Sequence, residues 1–301
     1  MSRRASLTFI ACLVVVLVAS PACRKGGAAV KRYPVKGKVT EVDLGQKLLT
    51  LDHQDIPGYM PAMIMPFPVK DDQLLKVAAP GDEVTASLVI TSDNRYWLED
   101  LVVTRKTPEG ARPSVRPAHR EPEPGEAVPD VALVNQDRKR IRLADYRGHA
   151  LALTFIYTRC PLPEFCPRMS RNFEAAAKAL AAEPALQAQT HLLSISFDPE
   201  HDTPEVLKRY GRAFAGEGPR PFAHWEFASG PDAEIRRLGG FLGLDYDPDQ
   251  GMWVHNLRTA VVGPDGTLVR SIRGSDWKPQ DLVADLRAAA AATKRSESRR
   301  P

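Results

Sequence analysis

The chain has 301 residues, a formal net charge of +4 and 43% hydrophobic residues. That is enough length for two domains and enough apolar content for packed cores. The weak, mixed charge and the lack of a phosphate-cradling loop or base-stacking motif exclude nucleic acid as the partner class, and no internal repeat organises the chain.

Residues 1–22 read as a signal peptide. Arg3 and Arg4 form a basic start, Ala5 to Ala19 is almost continuously apolar, and Ser20-Pro21-Ala22 offers a small-residue cleavage site. The apolar run is short for a membrane span. Cys23 follows Ala22 directly and is a candidate for lipidation, although Ser20 and Pro21 fit a lipoprotein signal imperfectly. Acylation, plain cleavage and a retained anchor stay open. The expected location is periplasmic, with a lipid anchor or the signal segment at the membrane. Cys12 lies within the signal, so only Cys160 and Cys166 belong to folded protein. An oxidising compartment permits a Cys160–Cys166 disulfide.

Residues 33–106 read as all-β. Strands are expected over 33–42, 47–52, 63–69, 83–91 and 95–105, with Gly, Pro and Asp at the joints. Five short strands of this kind suggest a small closed barrel. Residues 107–124 carry Pro108, Gly110, Pro113, Pro117, Pro122 and Pro124 among charges and read as a stiff linker. Fully extended, such a segment reaches on the order of 50 Å, so the two halves can meet or separate.

Residues 125–293 alternate strand and helix. Strands are expected over 151–157, 191–197 and 222–227, and helices over 169–182, 204–215 and 232–242. A hairpin over 257–272 turns at Gly263-Pro264-Asp265-Gly266, and a helix over 279–292 closes the fold. βαβ units followed by a hairpin and a helix form a thioredoxin-like α/β pattern. Residues 294–301 are expected to be a disordered tail. The fold class is therefore multidomain: an N-terminal all-β barrel and a C-terminal thioredoxin-like domain.

Soft donors cluster at two places. In the first, His53 precedes Met60, Met63 and Met65, and half of the chain's six methionines lie in this stretch. Met63 and Met65 share a strand face, and His53 ends the preceding strand. Core methionine is the bland reading of any one of them. Three beside a histidine point to thioether and imidazole ligation of Cu(I).

The second cluster follows the apolar run Leu151 to Tyr157. Cys160 and Cys166, separated by five residues, lie in a loop that leads into a helix starting near Pro167. The helix N-terminus, with Arg159 and Arg168 beside it, favours a thiolate. A structural disulfide would close a very small ring here, so metal or redox chemistry is the stronger reading. His255 precedes a later strand; on chemistry alone it is more often a solvated loop residue. Asp198 reads as shaping the turn before a helix capped by Asp202 or Thr203, with a secondary role near the cysteines.

Two resemblances sharpen these readings. Residues 125–293 resemble the Sco/SenC family of copper proteins in the cysteine loop ending Cys166-Pro167, the stretch Ser194 to Pro204, and His255 before Gly263-Pro264-Asp265-Gly266. The resemblance implies copper, as Cu(I) or Cu(II), on Cys160, Cys166 and His255, and a role at the dinuclear copper site of cytochrome c oxidase. The family's spacing is Cys-x-x-x-Cys, so this loop carries two extra residues, and Val254 stands where an Asp is common. Residues 33–105 resemble the CusF family of periplasmic copper-binding, OB-like barrels. That likeness implies Cu(I) on His53, Met63 and Met65. Met60 stands where that family has a covering Trp; Trp97 is an alternative cover.

The resulting expectation is an exported copper metallochaperone that binds Cu(I) on the barrel, passes it between domains and donates it by ligand exchange. Its partner would be the copper-site subunit of cytochrome c oxidase or another copper chaperone, with a thiol reductant as a further partner. Catalysis is not required. The enzyme reading is a thiol–disulfide oxidoreductase working through Cys160 and Cys166. The third reading is copper buffering and detoxification.

Overall fold

The computed structural model describes residues 30–45, 47–92, 95–108, 121–249, 252–275 and 277–297. The expected signal peptide with Cys23, the centre of the linker and residues 298–301 lie outside the described residues.

Five antiparallel strands build the N-terminal domain: β1 (Val30–Asp43), β2 (Leu48–His53), β3 (Met63–Pro68), β4 (Glu83–Thr91) and β5 (Tyr96–Arg105). Their order is β3-β2-β1-β4-β5. A bridge between Val69 and Leu98 joins the outer edges, so the sheet curls towards a barrel. Alternation decides which side chains face inwards. Leu49, Leu51 and His53 of β2 and Met63, Met65 and Phe67 of β3 are all buried. The register sets His53 opposite Met63 and Leu51 opposite Met65. Gly37 of β1 lies opposite His53, and a Cβ there would sit 2.7 Å from the Asp52 carbonyl oxygen. Glycine is what lets β1 lie this close to the histidine strand. A short helix, α1 (Asp72–Val77), was not legible; Asp71 caps it, accepting the Gln73 N–H at 2.9 Å.

The C-terminal domain contains β6 (Ala132–Asn135), β7 (Arg140–Arg142), β8 (Ala150–Ile156), α2 (Cys166–Ala181), α3 (Pro184–Gln187), β9 (Thr190–Ser196), α4 (Pro204–Ala215) and β10 (Trp225–Ser229). It continues with α5 (Asp232–Phe241), β11 (Tyr246–Asp249), β12 (Met252–His255), β13 (Arg258–Val262), β14 (Leu268–Arg273) and α6 (Pro279–Glu297). The strands β14-β13-β8-β9-β10-β6-β7 form one sheet, and β11 with β12 forms a separate hairpin. Strands β8, β9 and β10 are parallel and the outer pairs antiparallel. This is the expected thioredoxin-like layout. Strand β8 is buried along its whole length, as its uninterrupted apolar run requires. Helix α2 buries Cys166, Met169, Ser170, Phe173, Ala176 and Leu180, the spacing of one helical face.

Two boundaries and two hairpins differ from the sequence reading. The linker does not run to 124: Glu121 pairs with the fully buried Arg258 (3.0 Å) and with Arg273 (2.6 Å), and Pro122 is buried. Helix α6 continues to Glu297, into the expected disordered tail, because Lys294, Arg295 and Glu297 are helix formers and no Gly or Pro intervenes. The hairpins β6–β7 and β11–β12 are too short and too charged to signal themselves by period.

Away from the cysteines, Glu226 accepts from Asn135 (2.5 Å) and Tyr146 (2.6 Å) and lies 3.0 Å from His191. Burial works to raise its pKa, but these partners outweigh burial and hold it at about 2. The folded value lies below the ordinary 4.5, so the stabilisation is full above that pH and fades as pH falls towards about 2. Glu226→Gln should cost on the order of 2 kcal/mol at neutral pH. Urea unfolding at a series of pH values checks this; the gap from wild type should close on acidification.

Candidate metal centre

The centre is built where β8 stops. Thr158, just past the strand, donates its backbone N–H (2.9 Å) and its hydroxyl (2.5 Å) to Asp202. Asp202 also accepts the Ser196 hydroxyl at 2.5 Å, at the end of β9. Arg159 donates to Asp198 at 2.7 and 3.0 Å. Asp198 and Asp202 therefore position the two residues that precede Cys160, a role the turn reading of that segment undervalued. Arg159 is turned to Asp198. Asp198, His201 and Asp202 also cluster, but Arg159, Thr158, Ser196 and His201 satisfy their carboxylates.

Cys166 is the first residue of α2, with Pro167 following it. It is completely buried, and its Sγ accepts the Tyr157 backbone N–H at 3.4 Å. Cys160 sits at the rim, half-buried, and both cysteines are free thiols in this structure. His255 enters from β12, held by the pairing of Tyr246 with His255. Its Nε2 lies 3.7 Å from Cys166 Sγ, and donor atoms of Cys160, Cys166 and His255 all lie within 4.8 Å of one another. The Nδ1–H donates to the Asn256 carbonyl at 2.9 Å, which leaves Nε2 to the sulfurs. The ring is walled by Tyr157 and Phe165, both at 5.6 Å, and Phe197 at 4.9 Å. The solvated-loop reading of His255 does not hold: the residue is 5% exposed.

The two thiols differ. The hydrogen bond from Cys166 and the nearby His255 hold Cys160 down to about 4, against the cost of its own burial. Burial pushes Cys166 up. The sequence predicts a thiolate favoured by the helix N-terminus; the thiol at that terminus keeps its proton, and the ionised sulfur is Cys160. Burial in the core outweighs the helix-end potential.

The strand register sets His53, Met63 and Met65 of the second cluster on one buried face. His53 is 1% exposed; its Nδ1–H donates to the Gln54 carbonyl at 2.8 Å, and its Nε2 is buried with no partner. Burial lowers its pKa, which favours the neutral ring that can ligate a metal. Met63 lies opposite His53 with Met65 two residues on, both buried. Met60 is buried in a turn closed by hydrogen bonds with Ile56, apart from the cavity that Met63 and Met65 line. Trp97 is engaged elsewhere: Lys70 lies 3.1 Å above its ring, and its N–H donates to Glu99 at 2.7 Å. The aromatic side chains nearest Met63 and Met65 across that cavity, Tyr157, Phe165 and Trp253, come instead from the other domain.

An unpartnered buried imidazole nitrogen beside thioethers, and paired thiols facing a second imidazole, are donor sets that suit a soft ion such as copper. Residues 120–291 match the SCO1/SenC family profile. The chain belongs to the SCO1/SenC family. Residues 32–101 match the profile described as copper binding periplasmic protein CusF. The SCO1 protein homolog of Bacillus subtilis is 31% identical over 160 residues, which span 52% of this chain and 78% of that protein. A solved structure of BsSco, described as a member of the Sco family of cytochrome c oxidase assembly proteins, is 27% identical with a TM-score of 0.48; the match covers 56% of this chain and 97% of that one. The apo Sco1 protein from Thermus thermophilus is 28% identical with a TM-score of 0.43, covering 56% and 92% of the two chains.

Iodoacetamide should label Cys160 ahead of Cys166. Its rate should hold down to about pH 5 and fall as the thiolate is lost near about 4. Peptide mapping after timed labelling checks this; an ordinary thiol profile, falling away below about pH 8.5, would contradict it.

Proposed function

We propose that this chain is an exported copper carrier. Its C-terminal domain holds copper on Cys160, Cys166 and His255, and its barrel binds Cu(I) on His53, Met63 and Met65. The single observation that carries the reading is the convergence of two sulfurs and one imidazole nitrogen, drawn from distant parts of the chain, within 4.8 Å. Thiolates and imidazole suit Cu(I) or Cu(II), and thioethers suit Cu(I). The recipient on this reading is the copper site of cytochrome c oxidase, in line with the description of BsSco. Delivery is ligand exchange: the recipient's donors replace Cys160, Cys166 and His255 one at a time. Export of the basic, apolar start of the chain would put the protein in the periplasm, tethered through Cys23 or the signal segment.

One observation favours a second reading. The two free thiols lie close together with Cys160 at the rim, an arrangement suited to reducing a partner's disulfide while forming Cys160–Cys166. Thiol exchange that proceeds at full rate without copper would favour it over the carrier.

Copper titration with X-ray absorption tests the carrier directly. Wild type should show sulfur and nitrogen neighbours. Cys160→Ala should lose a sulfur and His255→Ala a nitrogen. Each should weaken the C-terminal site by more than the roughly 10–100-fold that loss of an outer hydrogen-bonding partner costs. Unchanged coordination in both variants would refute the site. Gene deletion separates carrier from buffer: delivery predicts loss of oxidase activity, buffering predicts copper sensitivity with the oxidase intact.

A further inference from the structure

The two domains meet at the cysteine loop. Tyr59, in the turn before β3, lies near Glu164; burial and then the Glu164 charge raise the Tyr59 pKa. Glu164 sits between Cys160 and Cys166. Glu164 is 5% exposed, and its Oε2 is buried without a partner. Tyr59 is braced by stacking on Tyr33 at 5.1 Å. Phe165, the next residue of the loop, packs on Tyr96 of β5 at 5.7 Å. The segments that make these contacts are the segments that carry the donors: Tyr59 is followed closely by Met63 and Met65, and Glu164 and Phe165 are framed by the two cysteines.

Beside these contacts is a cavity of about 20 Å³. Met63 and Met65 line it from the barrel; Cys160, Phe165, Trp253 and His255 line it from the other domain. It has room for one water- or ion-sized guest and none for an organic substrate. Donors of both clusters thus open onto one small, largely apolar space.

We propose that this cavity is a transit site, through which Cu(I) passes within one chain from the thioethers of Met63 and Met65 to the sulfur of Cys160, with the Tyr59–Glu164 and Tyr96–Phe165 contacts holding the domains in register for the exchange. The proposal rests on the reading of both clusters as copper sites and adds the route between them. The ion stays Cu(I) and no electron moves. A bond from copper to Cys160 Sγ forms as the thioether bonds break. His53 leaves as a neutral imidazole. Cys166 releases its thiol proton to solvent as it binds, and His255 Nε2 completes the shell. The direction follows from ligand strength, since thiolates hold Cu(I) more tightly than thioethers do. Linking donor to acceptor makes the step intramolecular, with an effective concentration on the order of millimolar or higher.

Stopped-flow mixing of the reduced full-length protein with Cu(I) bicinchoninate tests this, following ultraviolet absorption of the thiolate–copper bond. Wild type should fill its thiols in a phase whose rate is independent of protein concentration. Tyr59→Phe combined with Glu164→Gln should slow that phase by about tenfold or more, as the effective concentration falls, and leave the final amplitude unchanged. The unchanged amplitude shows that the variant is folded. Met63→Leu with Met65→Leu should abolish the concentration-independent phase and leave only slower, second-order filling. A wild-type rate that scales with protein concentration, or a phase untouched by both variants, would overturn the route while leaving the two sites intact. Thiols that take no copper in wild type would overturn the sites and the route together.

Discussion

The placement of Cys160 in the cysteine centre depends on one buried carboxylate. Asp202 ties the end of β8 to the end of β9 through Thr158 and Ser196. Parallel strands have no turn to fix their ends relative to each other, so the loops that leave them need a separate anchor. With Asp202 in place, Cys160 departs from a fixed point, and Cys166 is fixed independently by the first turn of α2. The five residues between them then bow outwards, and that bow meets the barrel. Without the anchor the position of Cys160 relative to Cys166 and His255 would be undefined.

The pair of sulfurs is asymmetric by construction. One is sealed in the core against a backbone N–H; the other stands at the edge of a space shared with the barrel. The Cys166 thiol and His255 hold the pKa of the rim sulfur, Cys160, low, while burial pushes that of Cys166 up. His255, caged by three aromatic rings, can do little but present Nε2 to both. The barrel repeats the device with softer donors: the Nδ1 of His53 is tied to its own backbone, which frees the opposite nitrogen.

Much of this was legible from residues. The β-branched and apolar run of β8, the alternation in β2 and β3, and the Thr203-Pro204 start of α4 announced their elements because each depends on local pattern. The candidate donors Cys160, Cys166, Met63 and Met65 stood out because cysteine and methionine are few, whereas His255 was singled out only by the family resemblance. What escaped detection was set by tertiary context. Burial rather than helix position decides which sulfur ionises. Asp198 and Asp202 look like ordinary turn and cap residues until β8 is laid beside β9. The β11–β12 hairpin that delivers His255 has no period of its own. Tyr59 and Glu164 carry no signal at all, since their partnership exists only across the domain boundary.

Glu121 alters how the molecule can be dissected. Its carboxylate is the charge partner of Arg258, a guanidinium with no exposed surface, three residues beyond His255. A fragment cut at the apparent domain edge near residue 125 would strand that cation in the interior, at a penalty on the order of 3 kcal/mol. The damage would fall on the strand next to a proposed ligand. Excision upstream of Glu121 keeps that strand whole, so the tether's last residues belong to the machinery they seem only to suspend.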